Sequence, residues 1–162
     1  MKYLPVVALV VAGLGLATRT RAMEPMPLPL FEVTALDGVS VRSDRLPLQG
    51  KWLLIYVQRH CRPCESVLRL LKKEQVPSGI RRIVVVVGEV AAEDVKRMAE
   101  KFPDLVEAGW YADPEKQAFV QLGLQGVPVV LGARGETIEW SLGGLPAPPT
   151  DLQSIVTSWL AE

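Results

Sequence analysis

Trp52-Leu53-Leu54-Ile55-Tyr56-Val57 and, after Gln58-Arg59-His60, Cys61-Arg62-Pro63-Cys64 form the stretch whose reading decides the fold. The first six residues are a short continuous apolar run rich in branched and aromatic side chains, which reads as a buried strand. Beyond the cysteines, Val67, Leu68, Leu70 and Leu71 recur at helical spacing, so Cys61 stands at a helix N-terminus. Unpaired backbone N–H groups and the positive end of the helix dipole favour a thiolate there. The chain has no other cysteine. Two sulfurs so spaced can open and close a disulfide within one loop, which is the layout of a redox centre.

Other uses of the pair stay open at this point. A zinc site normally takes four ligands, and the chain offers two sulfurs and one histidine. Cu(I) accepts fewer and softer ligands, so Cys61 and Cys64 with His60 could hold it. A structural disulfide closing so small a loop would constrain little of the unfolded chain.

At 162 residues the chain is long enough for one domain with a substantial core. Its formal net charge is zero, so no polybasic surface points to nucleic acid. Lys2 precedes an apolar run from Leu4 to Ala17. That run is shorter than the roughly 20 residues of a membrane span and suits a secretory signal, with cleavage after Ala17 or Ala22. Arg19 and Arg21 oppose export, so residues 1–22 read as a signal peptide or an uncleaved anchor. Without them the 18 basic side chains become 15 against 18 acidic ones, a net charge of −3. Export would place the cysteines where dedicated partners manage oxidation and reduction.

Residues 23–29 alternate proline with apolar residues and read as an extended spacer, leaving 30–162 as the domain. Phe31–Ala35 and Val39–Val41 flank Asp37-Gly38, a two-residue hairpin signal. The Cys-bearing helix should end near Pro77-Ser78-Gly79. Ile83–Val87 reads as a strand covered on both faces. Val95, Met98, Ala99 and Phe102 mark a helix stopped by Pro103. Asp113-Pro114 has the form of a helix N-cap followed by proline, starting a short helix that ends at Gly123. Val127–Leu131 and Thr137–Leu142 read as strands joined through Ala133-Arg134-Gly135. Thr150 and Gln153 suggest a capping box for a last helix buried along Leu152, Ile155, Val156, Trp159 and Leu160. Trp52, Trp110, Trp140 and Trp159 fall on apolar patterns and read as packing. These elements give an α/β domain with a central mixed sheet covered on both faces.

Taken together, Phe31–Val41 with its Asp-Gly turn, Gly50-Lys51, the C-x-P-C form of Cys61–Cys64, Asp113–Gly123, Gly126-Val127-Pro128 and Gly135 resemble the thioredoxin-like superfamily. The particular resemblance is to exported thiol–disulfide oxidoreductases of the TlpA/ResA type, from about Leu30 to the C-terminus. It implies a thioredoxin-like fold with an added N-terminal β-hairpin. Cys61 would then be the nucleophile and Cys64 the residue that resolves a mixed disulfide. Pro128 would be a cis proline beside the pair, and the backbone of Val127 would pair with an extended substrate segment.

The sequence departs from the family in three respects. His60 replaces the usual tryptophan before the first cysteine. Ile55 and Val67 occupy places where relatives carry a buried carboxylate serving the second cysteine. The later proline of the helix is missing. A peroxiredoxin would need threonine where Gln58 stands, which disfavours peroxide reduction.

The expected protein is thus an exported thiol–disulfide oxidoreductase with no cofactor or metal, acting as a monomer on protein thiols and disulfides. It would exchange electrons with a membrane donor or acceptor and bind no nucleic acid. A copper chaperone using Cys61, Cys64 and His60, or a non-catalytic binding domain, are the alternatives. Arg59, His60 and Arg62 would tune the site: positive charge near Cys61 favours the thiolate, and so a potential above thioredoxin's value of about −270 mV. The expected role in the cell is nonetheless that of a reductant or isomerase, as the resemblance implies, because the donor determines which form is maintained.

Overall fold

The computed structural model of the chain describes residues 24–46, 49–72, 79–148 and 150–161. Residues 1–22, expected to be a signal peptide or anchor, and Pro77-Ser78 lie outside the described residues. Eight strands form one sheet: β1 (Met26–Pro27), β2 (Glu32–Ala35), β3 (Ser40–Arg42), β4 (Lys51–Gln58), β5 (Ile83–Gly88), β6 (Gly109–Asp113), β7 (Val129–Arg134) and β8 (Thr137–Gly143). The helices are α1 (Arg62–Leu70), α2 (Ala92–Ala99), α3 (Gln117–Gln121) and α4 (Thr150–Leu160). The spatial order of the strands is β1-β8-β7-β4-β5-β6-β2-β3. β4, β5 and β6 run parallel; β7 pairs antiparallel with β4, and β2 antiparallel with β6.

Alternation along β4 builds two cores. Leu53, Ile55 and Val57 face one side, where Cys64, Val67 and Leu68 of α1, Val95 and Met98 of α2, and Leu152, Val156 and Leu160 of α4 cover them. Trp52, Leu54 and Tyr56 face the other, packed against Phe31, Val33, Ala118 and Leu122. Every residue of β5 is buried, as its unbroken branched run predicts. Each such side chain contributes roughly 1.5–3 kcal/mol on leaving water.

Several local expectations change. β6 is a strand that the sequence pattern did not reveal, and Asp113 ends it rather than capping a helix. α3 starts later, at Gln117, after Lys116 adopts the left-handed conformation. α1 ends at Leu70, because Leu71 leaves helical geometry and is buried in the core. In the first hairpin the Ala35 N–H donates to the Val39 carbonyl, so three residues make the turn, with Gly38 at φ +84°. Ala133 and Arg134 lie within β7, and Gly135 makes the next turn. Within the stretch read as a spacer, Met26 and Pro27 pair with Ile138 and Thr137 as an edge strand. The Gln153 amide donates to the Leu70 carbonyl, tying α4 to the end of α1.

Candidate active site

β4 carries the chain to the carboxyl end of the parallel strands, where α/β sheets place their ligands. His60, exposed and at φ +60°, reverses the chain into α1; histidine is among the residues that tolerate this region. Cys61 is the N-cap of α1, and its sulfur accepts a hydrogen bond of 3.2 Å from the Cys64 N–H. Pro63 sits in the first turn, where the N–H that it lacks has no helical partner. Cys61 and Cys64 are joined by a disulfide with their Cα atoms 5.2 Å apart. The two sulfurs differ in access: Cys61 is half-buried at the surface, whereas Cys64 is fully enclosed by the core.

The charged neighbours are arranged unequally. Arg59 forms a 3.0 Å ion pair with Asp94 of α2, so much of its charge is already balanced. Arg62 is exposed at the first helical position and has no ion-pair partner among the described residues. Glu65, in the first turn, is half-buried. No group of three or more histidine, cysteine or acidic side chains is placed to hold a metal among the described residues.

Ile55 and Val67 are both fully buried beside Cys64, so neither place supplies a carboxylate. Among the described residues the buried carboxylate is Asp113, at the end of β6. It lies on the opposite face of the sheet: its Oδ2 accepts from the Tyr56 hydroxyl at 2.9 Å and from the Phe119 N–H at 3.2 Å. Its Oδ1 is buried with no partner among the described residues. Burial first, and the Asp113 charge second, push the Tyr56 hydroxyl well above the ordinary tyrosine range. The sheet therefore separates this pair from the cysteines.

The Val127–Pro128 peptide bond is cis. Pro128 leads directly into β7, whose Val129 pairs with Tyr56 of β4, so topology sets this loop beside the loop leaving β4 for Cys61. Val127 packs against the core that contains Cys64. The Pro128 carbonyl accepts from the Gly144 N–H at 2.8 Å, while the Val127 backbone makes no backbone hydrogen bond among the described residues. A cavity of about 440 Å³ opens along this loop, bordered by Met26, Leu124, Val127, Pro128 and Gly143. Three of the four tryptophans are tied into the frame: the Trp52, Trp110 and Trp159 N–H groups donate to backbone carbonyls.

No family model matches the sequence, and no curated protein matches it. Solved structures match over most of the chain. A candidate thiol:disulfide interchange protein DsbE from Chlorobium tepidum superposes with a TM-score of 0.68 at 18% identity, over 85% of this chain and 98% of that one. The fold is thioredoxin-like. The thioredoxin domain of a thiol-disulfide oxidoreductase from Bacteroides vulgatus gives 0.64 at 17% identity, over 83% and 96% of the two chains. A secreted disulfide oxidoreductase from Mycobacterium tuberculosis, homologous to E. coli DsbE, gives 0.58 at 14% identity over 81% and 94%. The thioredoxin-like frame thus carries the extra N-terminal strands expected from the sequence, and the Cys pair stands at the start of its first helix.

Proposed function

We propose that this protein is an exported thiol–disulfide oxidoreductase that exchanges disulfides with protein partners through Cys61 and Cys64. The observation that carries this reading is the pairing of a half-exposed sulfur at the N-cap of α1 with a resolving sulfur buried one turn inside. In the reduced form the exposed Cys61 thiolate attacks a partner disulfide. A Cys61–partner bond forms and one partner sulfur leaves as a thiolate. Cys64 then gives up its proton and attacks Cys61, releasing the second partner thiolate and restoring the Cys61–Cys64 disulfide. Two electrons pass to the partner, and a dithiol donor returns them. The Cys64 proton goes to water or to Glu65, since the buried Asp113 lies across the sheet.

Pro128 shapes the wall beside the pair, and the unengaged backbone of Val127 offers an edge on which a substrate strand can dock. Arg62 adds positive charge beside the pair, with Arg59 partly balanced by Asp94. Residues 1–22 direct export or anchor the chain, in keeping with the secreted relative. The test is insulin-disulfide reduction with dithiothreitol as donor, set beside Cu(I) titration of the reduced protein. Wild type should accelerate reduction and both Cys61→Ser and Cys64→Ser should lose turnover. Cys64→Ser alone should accumulate a partner-linked mixed disulfide. Wild-type rates at background would refute the reading, and tight Cu(I) binding without turnover would favour a copper carrier.

A further inference from the structure

Asp94, Arg97, Met98, Lys101 and Phe102 follow one another at helical spacing on α2 and the turn that continues it. Together they form one wall of a cavity of about 230 Å³, whose other wall is Arg59, His60 and Glu65. Arg59 and His60 lead into Cys61, and Glu65 follows Cys64, so the cleft borders the cysteine loop. Its floor is apolar, because Met98 and Phe102 are 8% and 4% exposed. Its rim is cationic. Asp94 is occupied by Arg59, whereas Arg97 and Lys101 are exposed and have no ion-pair partner among the described residues. The Arg69 guanidinium, 5.4 Å from the Phe102 ring centre, adds a further positive charge beside the floor. Glu65 is the one lining acid not in an ion pair among the described residues.

Strand order sets the direction of approach. β7 and β5 flank β4, so the cysteine loop after β4 lies between the Pro128 loop before β7 and α2 after β5. A substrate strand docked at Val127 and crossing Cys61 would run on toward this cleft. We infer that the cleft binds an acidic segment flanking the reacting cysteine of a polypeptide substrate, with an apolar side chain on Met98 and Phe102 and carboxylates at Arg97 and Lys101. This rests on the exchange activity proposed above and names the substrate class for it. A cleft dominated by one sign of charge raises encounter rates with the complementary partner, and each exposed ion pair adds a factor of about 1.5 to 5.

The test uses the reduced full chain and three disulfide-linked peptides that differ only in Glu, Gln or Lys flanking the cysteine, with oxidised glutathione as a fourth substrate. Each second-order exchange rate is divided by that substrate's rate with dithiothreitol, to remove intrinsic reactivity. At low salt the Glu peptide should exceed the Lys peptide by about 5- to 25-fold, with the advantage shrinking as salt rises. Lys101→Glu should erase or invert this ratio. Lys96→Glu, the same charge change on α2 but outside the cleft, should preserve it. Equal rates for the three peptides would overturn the inference alone, and so would equal effects of Lys96→Glu and Lys101→Glu. Oxidised glutathione outrunning every peptide would overturn the polypeptide assignment. Failure of every substrate to exchange would remove the proposed activity and this inference with it.

Discussion

Arg59 and Asp94 meet at 3.0 Å across the edge of the cysteine loop, joining the residue two before Cys61 to the first turn of α2. The charge of Arg59 is therefore partly balanced, and more of the electrostatic weight at the half-buried Cys61 sulfur falls on Arg62 and the helix end. Asp94→Asn should release Arg59 and favour the Cys61 thiolate, and hence the reduced form. Because this pair is partly exposed, the effect is small: a rise of about 5–20 mV in a glutathione redox titration. Arg62→Ala should move the potential the other way by a similar amount. No movement in either variant would show that these charges do not tune the pair.

The Tyr56 hydroxyl is the side-chain donor to buried Asp113, so Tyr56→Phe should cost about 1–3 kcal/mol by denaturant unfolding. The pH dependence has a definite sign. The folded-state hydroxyl titrates above its unfolded value of about 10, so the stability it confers is complete below that pH. It is lost as pH rises from there toward the folded value. Above pH 10 the wild type should therefore lose stability more steeply than Tyr56→Phe, by up to about 1.4 kcal/mol per pH unit. Tyr111, raised by burial, contributes a similar slope to both proteins and cancels in the comparison.

Gly132 lies under Trp140 of β8, and a Cβ there would collide with the indole. Trp140 in turn meets Trp159 of α4 edge to face at 5.7 Å. Gly132→Ala should destabilise the fold by about 1–3 kcal/mol and alter tryptophan emission, as measured by denaturant titration followed by fluorescence.

Local patterns carried most of the frame and the placement of the Cys pair. The run Trp52–Val57, the helical stripe after Cys61 and the five branched residues of β5 are each long or regular enough to be read without tertiary information. β6 escaped because Gly109–Asp113 is short, opens on glycine and shows no alternation, while Asp113-Pro114 imitates a helix start. What fixes Asp113 is Tyr56, 57 residues away, a contact that no local pattern encodes. β1 has two residues and owes its conformation to β8. The two-residue spacing of the Cys pair is local and legible, whereas the Arg59–Asp94 ion pair joins residues 35 apart in sequence and forms only on folding.

The division of labour between the sulfurs is the central claim, and partial alkylation of the reduced protein tests it most directly. Thiolates at helix N-termini titrate at roughly 3.5–7.5 rather than about 8.5, and only Cys61 is both so placed and accessible. Limited iodoacetamide near neutral pH, followed by mass mapping, should label Cys61 first and Cys64 only after prolonged exposure. Equal labelling of the two, or Cys64 first, would contradict the account.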